Sequence, residues 1–179
     1  SFIRLGRADQ PIRTSAPVES PDVIVVFHSI LLGHPATVAG LRATGTLIFT
    51  GPPGKIPDGL ARLPRTAKGI RIDAQNIAAE EKSRPNAVLI GTLAEAVPFF
   101  DADTLLQGLT DEFARKRPEA VASNEAAFRR GMTEFEILSD VGRAEGDLPV
   151  IRPDPLWGSR TAPPGGIILN AGSTAGNGF

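Results

Sequence analysis

Three short runs rich in β-branched residues constrain the fold of this chain most. They lie at Asp22–Phe27, Thr46–Thr50 and Lys68–Asp73 in a sequence of 179 residues. The first run is continuous in valine and isoleucine, which is typical of a strand buried on both faces of a parallel sheet. A short helix is predicted at His34–Arg42 and another at Gln75–Lys82. This alternation predicts an α/β fold of three layers, with a mainly parallel sheet flanked by helices.

Three further helices are predicted one after another in the next part of the chain. The first, Asn86–Val97, is apolar on most of its faces, so we expect it to be buried, with Gly91 at a close contact with another helix. The second has apolar residues at helical spacing over Leu105–Phe113. The third begins at Pro118, and the pattern predicts that it ends within Ile137–Val141.

Composition disfavours several classes of function. The net charge of -1 gives no support for binding to nucleic acid or an anionic membrane, and no apolar run approaches the roughly 20 residues that span a bilayer. Cysteine is absent and the only histidines are His28 and His34, so we expect this chain alone to bind no iron–sulfur cluster and no structural metal. The sequence starts at Ser1 without a signal-peptide pattern, and we expect a cytoplasmic protein whose first residue is not a translation start.

Candidate binding residues follow the first predicted strand. Ligands of open α/β sheets bind beyond the carboxyl ends of the strands, which makes His28 and Ser29 candidates for cofactor binding. The alternative is that His28 only caps the strand end by hydrogen bonding, and the lack of a visible partner favours this alternative. The loop Gly51–Lys55 lacks the spacing of a phosphate-binding loop and contains two prolines, so a rigid structural loop is expected. No catalytic residue is assigned.

The two ends of the chain are predicted to be extended. Phe2–Leu5 and Ile12–Ser15 are expected to form two short strands joined by a turn. Residues 143–179 are rich in proline and glycine without lasting periodicity, so they are interpreted as a tail that follows a domain at residues 1–142. Such a tail has no core of its own, and we expect it to dock on partner subunits with Trp157 as the interface anchor. A disordered linker is the alternative.

An ordered set of residues in the helical region resembles a known family. Asn86, Gly91 and Leu93 form the pattern Asn-x-x-x-x-Gly-x-Leu. After a leucine-rich helix comes a second pattern, made by Lys116, Pro118, Glu119, Asn124, Ala127, Phe128 and Gly131. In order and spacing, the set is similar to the gamma subunits of thiamine-dependent 2-oxoacid:acceptor oxidoreductases, the pyruvate:ferredoxin oxidoreductase family. The resemblance covers about residues 1–135.

The resemblance implies a structural and assembly subunit without a catalytic residue of its own. In the implied complex, thiamine diphosphate and magnesium belong to alpha and beta subunits, and [4Fe–4S] clusters carry electrons to ferredoxin or a related acceptor. A delta-type subunit is a further expected partner, and coenzyme A commonly takes the acyl group. The family's glycine-rich opening, Gly-x-Gly-Gly-Gln-Gly, does not occur in this sequence. We expect it on a separate or removed segment.

Two other classes of function stay open. One is a stand-alone α/β module that binds a small ligand, with His28, Ser29 and Thr50–Gly51 at its strand ends. The other is a small hydrolase or transferase. It is disfavoured because the sequence has neither a Gly-x-Ser-x-Gly elbow nor a paired spacing of histidine and carboxylate.

Overall fold

A four-stranded sheet forms the centre of the structure, a computed structural model that describes residues 18–151. Its strands are β1 (Val23–Val26), β2 (Thr46–Thr50), β3 (Lys68–Ile72) and β4 (Glu136–Leu138). They lie side by side in the order in which they occur along the chain. β1 pairs with β2 and β2 with β3 in parallel, whereas β4 runs antiparallel to β3. The predicted α/β fold with a mainly parallel sheet is therefore confirmed.

Four α-helices lie between β3 and β4 in the chain. They are α1 (Ala74–Glu80), α2 (Pro85–Ala96), α3 (Ala102–Lys116) and α4 (Val121–Thr133). Two of them begin at an aspartate whose side chain accepts a backbone hydrogen bond, Asp73 from Asn76 N at 3.2 Å and Asp101 from Thr104 N at 2.7 Å. These caps satisfy donors that the first turn of a helix leaves unpaired, so the local sequence determines both helix starts.

The segments between β1 and β3 contain short 3₁₀ turns instead of α-helices. The predicted helix at His34–Arg42 is wrong, because only Pro35–Thr37 is helical, as a single 3₁₀ turn. His34 Nδ1 accepts a hydrogen bond from Ala36 N at 3.2 Å and so caps this turn. Gly40 then adopts a left-handed conformation, with φ of 73°, which ends any helix here.

The predicted end of the third helix is also wrong. α4 stops at Thr133, and Glu136–Leu138 forms a strand that pairs with Gly69–Arg71. This pairing brings the carboxylate of Glu136 against the buried guanidinium of Arg71. A helical continuation would take that carboxylate away, and a buried charge without a partner is strongly destabilising. Tertiary pairing therefore overrides the local helical pattern.

The two faces of the sheet are covered by different kinds of structure. On the first, which we call the helical face, α1, α2 and α4 pack against Ile48, Ile70 and Ile72. On the second, the turn-covered face, short 3₁₀ turns and the segment after β4 pack against Leu47 and Phe49. The three predicted layers are present, and the third consists of turns rather than α-helices.

α2 and α4 cross at a contact made by two glycines. A methyl group on Gly91 would overlap the carbonyl oxygen of Phe128, and a methyl group on Gly131 would overlap that of Val88. The Thr92 hydroxyl also donates a hydrogen bond across the crossing, to Gly131 O at 2.8 Å. Glycine is required at both positions because a side chain would hold the two backbones apart. The structure confirms that Gly91 lies at a close helix contact.

β1 is less buried than its sequence predicts. Val26 is buried, whereas Val23, Ile24 and Val25 are only half-buried. Within residues 18–151, β1 has one neighbouring strand, β2, and forms an edge of the sheet. The prediction of a strand buried on both faces is therefore met only at Val26 in this part of the chain.

The two ends of the described chain meet beside Gly40. Its backbone N–H donates a hydrogen bond to Pro149 O at 3.0 Å, and a Cβ atom at this position would overlap the carbonyl group of Glu19. Residues near the beginning and near the end of the described range are therefore neighbours in space.

The first residues of the predicted tail lie on the domain itself. Leu148 N donates to Leu41 O at 2.8 Å, and Leu148 packs against the core of the turn-covered face. The rest of the tail, with Trp157, lies outside the described residues, as do the two short strands predicted within residues 1–17. Docking of the tail stays a prediction.

Candidate functional site

The carboxyl ends of β1, β2 and β3 lie at one edge of the sheet, where the loops that follow them surround a groove. A cavity of about 300 Å³ in this groove is lined by His28, Ser29, Ile30, Thr50, Gly51, Pro52, Asp73 and Gln75. The structure thus brings the sequence-predicted candidates His28 and Ser29 together with the end of β2 and the start of α1. Open parallel sheets bind ligands at this edge.

The polar groups closest to the strands hold the start of α1. Thr50 is 3% exposed, and its Oγ1 accepts a hydrogen bond from Ala74 N at 3.1 Å. The carboxylate of Asp73 accepts a hydrogen bond from Asn76 N at 3.2 Å. Both bonds satisfy donors in the first turn of α1. They are the hydrogen bonds of helix caps rather than those of an acid–base pair.

His28 lies exposed at the groove. Its carbonyl oxygen accepts a hydrogen bond from Leu31 N at 3.0 Å, but its side chain makes no capping hydrogen bond to the 3₁₀ turn Ser29–Gly33. The hydrogen bond at the end of β1 is therefore made by the backbone of His28, and the interpretation that His28 only caps the strand end stays a prediction. Nucleophilic catalysis needs a nucleophile, a base and an orienting group joined by hydrogen bonds. Within residues 18–151, His28 and Ser29 form no such set, so they offer contact groups for a ligand or a partner.

A second cavity, of about 210 Å³, extends the groove past β3 and contains a buried arginine. The Arg71 side chain is 6% exposed and forms an ion pair with Glu136. Its Nη1 also donates a hydrogen bond to Lys55 O at 3.3 Å, which ties the loop after β2 to β3. Sequence analysis missed this residue. The sequence feature that could have revealed Arg71 is that it is a single arginine within an apolar strand, because a buried charge needs a partner.

Arg130 lines the same cavity and is the centre of an ion-pair network. It contacts Glu134 at 2.6 Å, Glu80 at 2.8 Å and Glu81 at 2.9 Å. Hydrogen bonds from Arg130 hold the pKa of Glu80 and of Glu134 below the ordinary value of 4.5. The hydrogen bonds to Glu134, Glu80 and Glu81 raise the pKa of Arg130 further above its usual range, and the bond to Glu134 has the largest effect. These pKa shifts arise because each charge lies beside an opposite charge. The network therefore links α1 to α4 and supplies no group with the perturbed pKa of an acid–base catalyst.

Large apolar side chains are exposed in the segments that follow β1 and β2, whose carboxyl ends border the groove. Ile30 is 84% exposed, and Phe27, Leu31 and Ile56 are exposed as well. We call these four residues the apolar rim. They lie in loops without periodicity, so no sequence pattern singled them out. Exposed apolar clusters mark contact with another molecule, and the rim therefore gives this edge the character of an assembly surface.

The described residues offer no metal centre. Within residues 18–151, no three histidine or carboxylate side chains come close enough together to hold a metal ion. The carboxylates with lowered pKa values outside the Arg130 network are Asp101, bonded to Thr104, and Glu112, bonded to Lys116.

In the same part of the chain, no helix has the length and apolar character needed to cross a membrane.

The family-motif residues belong to the helical layer, and among them Asn86 also lines a cavity beside His28. Those at the α2–α4 crossing are Gly91, Phe128 and Gly131. Asn124 is buried at the start of α4, where its Oδ1 accepts a hydrogen bond from Ser83 Oγ at 2.9 Å and its Nδ2 donates to Ala120 O at 2.7 Å. Pro118 begins the 3₁₀ turn before α4, and Asn86 is exposed at the start of α2. These contacts give the motif a structural role in joining helices.

The chain is similar in sequence to subunits of oxidoreductase complexes. Pyruvate synthase subunit PorC of Thermotoga maritima is 32% identical over 144 residues, which are 76% of this chain and 70% of the relative. The gamma subunit of the NADH-dependent phenylglyoxylate dehydrogenase of Aromatoleum evansii is 30% identical over 141 residues, with the same coverage of both chains.

The similarity extends to a solved structure. The crystal structure of pyruvate oxidoreductase subunit PORC from Thermotoga maritima matches with a TM-score of 0.57 and 29% identity, covering 67% of this chain and 66% of that one, just under two thirds. The family model "Pyruvate ferredoxin/flavodoxin oxidoreductase" matches residues 1–134. The resemblance seen in the sequence is confirmed, and this chain belongs to the pyruvate ferredoxin/flavodoxin oxidoreductase family.

Proposed function

We propose that this chain is a non-catalytic, gamma-type subunit of a multi-subunit 2-oxoacid:acceptor oxidoreductase. Family membership supports a place in an oxidoreductase complex, since both curated relatives are named as subunits. The observation that carries the proposal is the groove at the carboxyl edge. Thr50 and Asp73 at its strand ends hold the start of α1, and its rim is apolar and exposed. Such a surface favours contact with alpha, beta and delta-type subunits over chemistry of its own.

The reaction of the proposed complex is the oxidative decarboxylation of a 2-oxoacid, commonly to an acyl-coenzyme A. Thiamine diphosphate with magnesium supplies the carbanion chemistry in the alpha and beta subunits, and [4Fe–4S] clusters pass electrons to ferredoxin or a related acceptor. The residues of this chain do not fit such a cluster, because the sequence contains no cysteine to ligate iron. We assign no step of the reaction to it.

Purification of the assembled complex tests this function. A tagged form of the chain is expressed in its source, and the chains that co-purify are identified. We expect alpha, beta and delta-type subunits in a fixed ratio, bound thiamine diphosphate, a brown colour and reduction of ferredoxin that depends on a 2-oxoacid. Pyruvate and phenylglyoxylate are the first substrates to compare, because the two relatives are named for them. A colourless chain that purifies alone would contradict the proposal.

The apolar rim gives a sharper version of the same experiment. Ile30→Asp places a charge on the rim and should weaken co-purification with the other subunits. Ile137→Asp is the matched control, since Ile137 is also exposed but lies on β4, away from the rim. Equal effects of the two substitutions would show that the rim is not a specific contact surface.

The tail is proposed to dock on partner subunits through Trp157. Because Leu148 and Pro149 bond to the domain itself, the deletion that tests this docking should remove only residues 152–179. We expect the shortened chain to keep its circular dichroism spectrum and to lose affinity for the other subunits. Assembly with unchanged affinity would favour the linker alternative.

A stand-alone module that binds a small ligand is the second candidate function. The cavity of about 300 Å³ beside His28 and Ser29 supports it, because ligands of open α/β sheets bind at this edge. The chain alone would be screened by thermal shift against nucleotides, coenzyme A and 2-oxoacids. Saturable binding that His28→Ala removes, by a chain that purifies without partners, would favour the module over the subunit.

A further inference from the structure

A second groove lies between the start of α2 and the last turns of α3. Its volume of about 480 Å³ exceeds that of either cavity at the carboxyl edge. Leu109 and Phe113 provide its apolar surface, and Arg84, Lys116 and Arg117 provide cations. Every residue of α3 stays at least partly exposed within the described chain, so the apolar face of this helix is only partly covered by α2 and α4.

The two arginines of this groove differ from the other arginines of the described chain. Residues 18–151 contain ten arginines. Eight of them form an ion pair or a hydrogen bond with another described residue. Within residues 18–151, the side chains of Arg84 and Arg117 form neither, and both line the same groove. The unpaired guanidinium groups are therefore concentrated at one place on the surface.

Electrostatics within the chain disfavours this placement. Arg84 is the N-cap of α2 and makes no side-chain cap hydrogen bond, so a cation stands at the positive end of the helix dipole. Arg117 is the C-cap of α3, which suits that helix, but it shares the groove with Arg84. Like charges in one groove repel each other. A carboxylate supplied from outside the chain would offset both effects.

Glu112 is the carboxylate among the described residues that line this groove, and it already has partners. It accepts hydrogen bonds from Lys116 and Arg115, and the bond from Lys116 holds the pKa of Glu112 below its ordinary value. No side chain of residues 18–151 therefore compensates Arg84 and Arg117, and the described lining of the groove carries a net positive charge. Its electrostatic complement is an anionic surface.

We propose that this groove binds an acidic, partly apolar segment of a partner subunit. The apolar side chains of that segment cover Leu109 and Phe113, and its aspartate or glutamate side chains pair with Arg84 and Arg117. Guanidinium groups suit this role because they bind carboxylates through two parallel hydrogen bonds. The inference rests on the proposed function, because it requires a complex that contains this chain.

Charge variants in the assembled complex test the inference. The double variant Arg84→Glu, Arg117→Glu reverses both charges, and Arg84→Lys, Arg117→Lys keeps them. The matched control, Arg65→Glu, Arg129→Glu, reverses two exposed arginines that lie outside the groove. Binding of each tagged chain to the remaining subunits is measured by surface plasmon resonance at low and at high salt, after circular dichroism has shown that each variant is folded.

The groove variants should differ from the control in both affinity and salt dependence. We expect the Glu double variant to bind about tenfold or more weakly at low salt, because like charges then face each other across the interface. The difference should shrink at high salt, where such charges are screened. The Lys variant should retain most of the affinity. A Glu double variant that binds like the control would overturn the inference.

Cross-linking identifies the occupant directly. A photoreactive residue at Asn86, which lines the groove, should capture a peptide of another subunit that contains both acidic and apolar residues. Capture of a basic peptide would contradict the inference. Binding of inorganic pyrophosphate to the groove, without capture of any peptide, would contradict it as well. If the unmodified chain binds no other subunit, the proposed function fails. If the unmodified chain binds the other subunits and the Glu double variant binds them as tightly as the control variant does, only the groove inference fails.

Discussion

The helical face and the turn-covered face bury the same sheet by different means. Ile48 on the helical face and Phe49 on the turn-covered face are both fully buried. The helical face depends on three long elements, two of which touch backbone to backbone at Gly91. The turn-covered face depends on short 3₁₀ turns, which also meet closely, since a methyl group on Gly59 would overlap the carbonyl oxygen of Leu32.

The comparison shows that complete burial does not require regular secondary structure. What should differ between the faces is their response to added volume. An extra side chain at the helix crossing has to displace a helix that also packs on the sheet, whereas a short turn moves with few other contacts. Substitutions of matched glycines on the two faces therefore test the difference.

The largest effect is expected for Gly91→Leu on the helical face. The new side chain would overlap the backbone of Phe128, and we expect the free energy of unfolding to fall by about 3 kcal/mol. Urea unfolding of the full chain, followed by circular dichroism, measures the loss.

Gly108→Ala is the control for this substitution. Gly108 lies in α3 with open space around its Cα, so alanine should raise the free energy of unfolding by up to about 1 kcal/mol through its better helix propensity. An unchanged unfolding midpoint for Gly91→Leu would show that α2 and α4 separate freely, and the contrast between the faces would be lost.

A smaller effect is expected for Gly59→Ala on the turn-covered face. The overlap with the Leu32 carbonyl is relieved by a shift of one 3₁₀ turn, so we expect a loss of about 1–2 kcal/mol in the same unfolding experiment. Gly33→Ala is the matched control, because nothing lies within reach of its Cβ position, and it should change little. Gly91→Ala is the matched substitution at the helix crossing, and a loss for Gly59→Ala larger than for Gly91→Ala would reverse the proposed order of the two faces.

Asn124→Ala should have the next largest effect. It removes the hydrogen bonds that join the start of α4 to Ser83 and Ala120, and we expect a loss of about 1 kcal/mol. Hydrogen exchange at the loop between α1 and α2 should speed up, while exchange on the turn-covered face should not. Ser83→Ala removes one of these bonds and should give a smaller loss.

The smallest effect concerns pH and the Arg130 network, which is largely solvent-exposed. The pKa values of Glu80 and Glu134 are lowered in the folded chain, so their contribution to stability is present above the ordinary pKa of 4.5 and is lost as pH falls through the lowered values. Unfolding midpoints measured at neutral and at acidic pH should therefore converge for the wild type and Arg130→Gln as pH falls. Arg129→Gln, which breaks an exposed ion pair outside this network, is the comparison variant for the loss of an arginine from α4.

The sequence predicts the helical face better than the turn-covered face, for a physical reason. β-Branched runs and helical periodicity are local signals, and they predicted β1 to β3 and the presence of the three long helices. Turns without periodicity carry no such signal, so the helix at His34–Arg42 was wrongly predicted. β4 depends on pairing with β3 and on the buried charge of Arg71, and both are contacts between distant parts of the chain.

The candidate sites divide in the same way. His28 and Ser29 were found because the position of a strand end can be inferred from the sequence. The apolar rim was not found, since it gathers residues from separate loops. The same holds for the cluster of Arg84 and Arg117, because their common groove exists only once α2 and α3 lie side by side.

Since Glu19 and Pro149 both lie against Gly40, the two ends of the described chain lie at neighbouring points on its surface. A unit with adjacent ends can be inserted into a longer polypeptide through two linkers, without interrupting a strand or a helix. Segments attached to either end of residues 18–151 therefore start from the same patch of surface, and they can be lengthened or replaced without interrupting a described strand or helix.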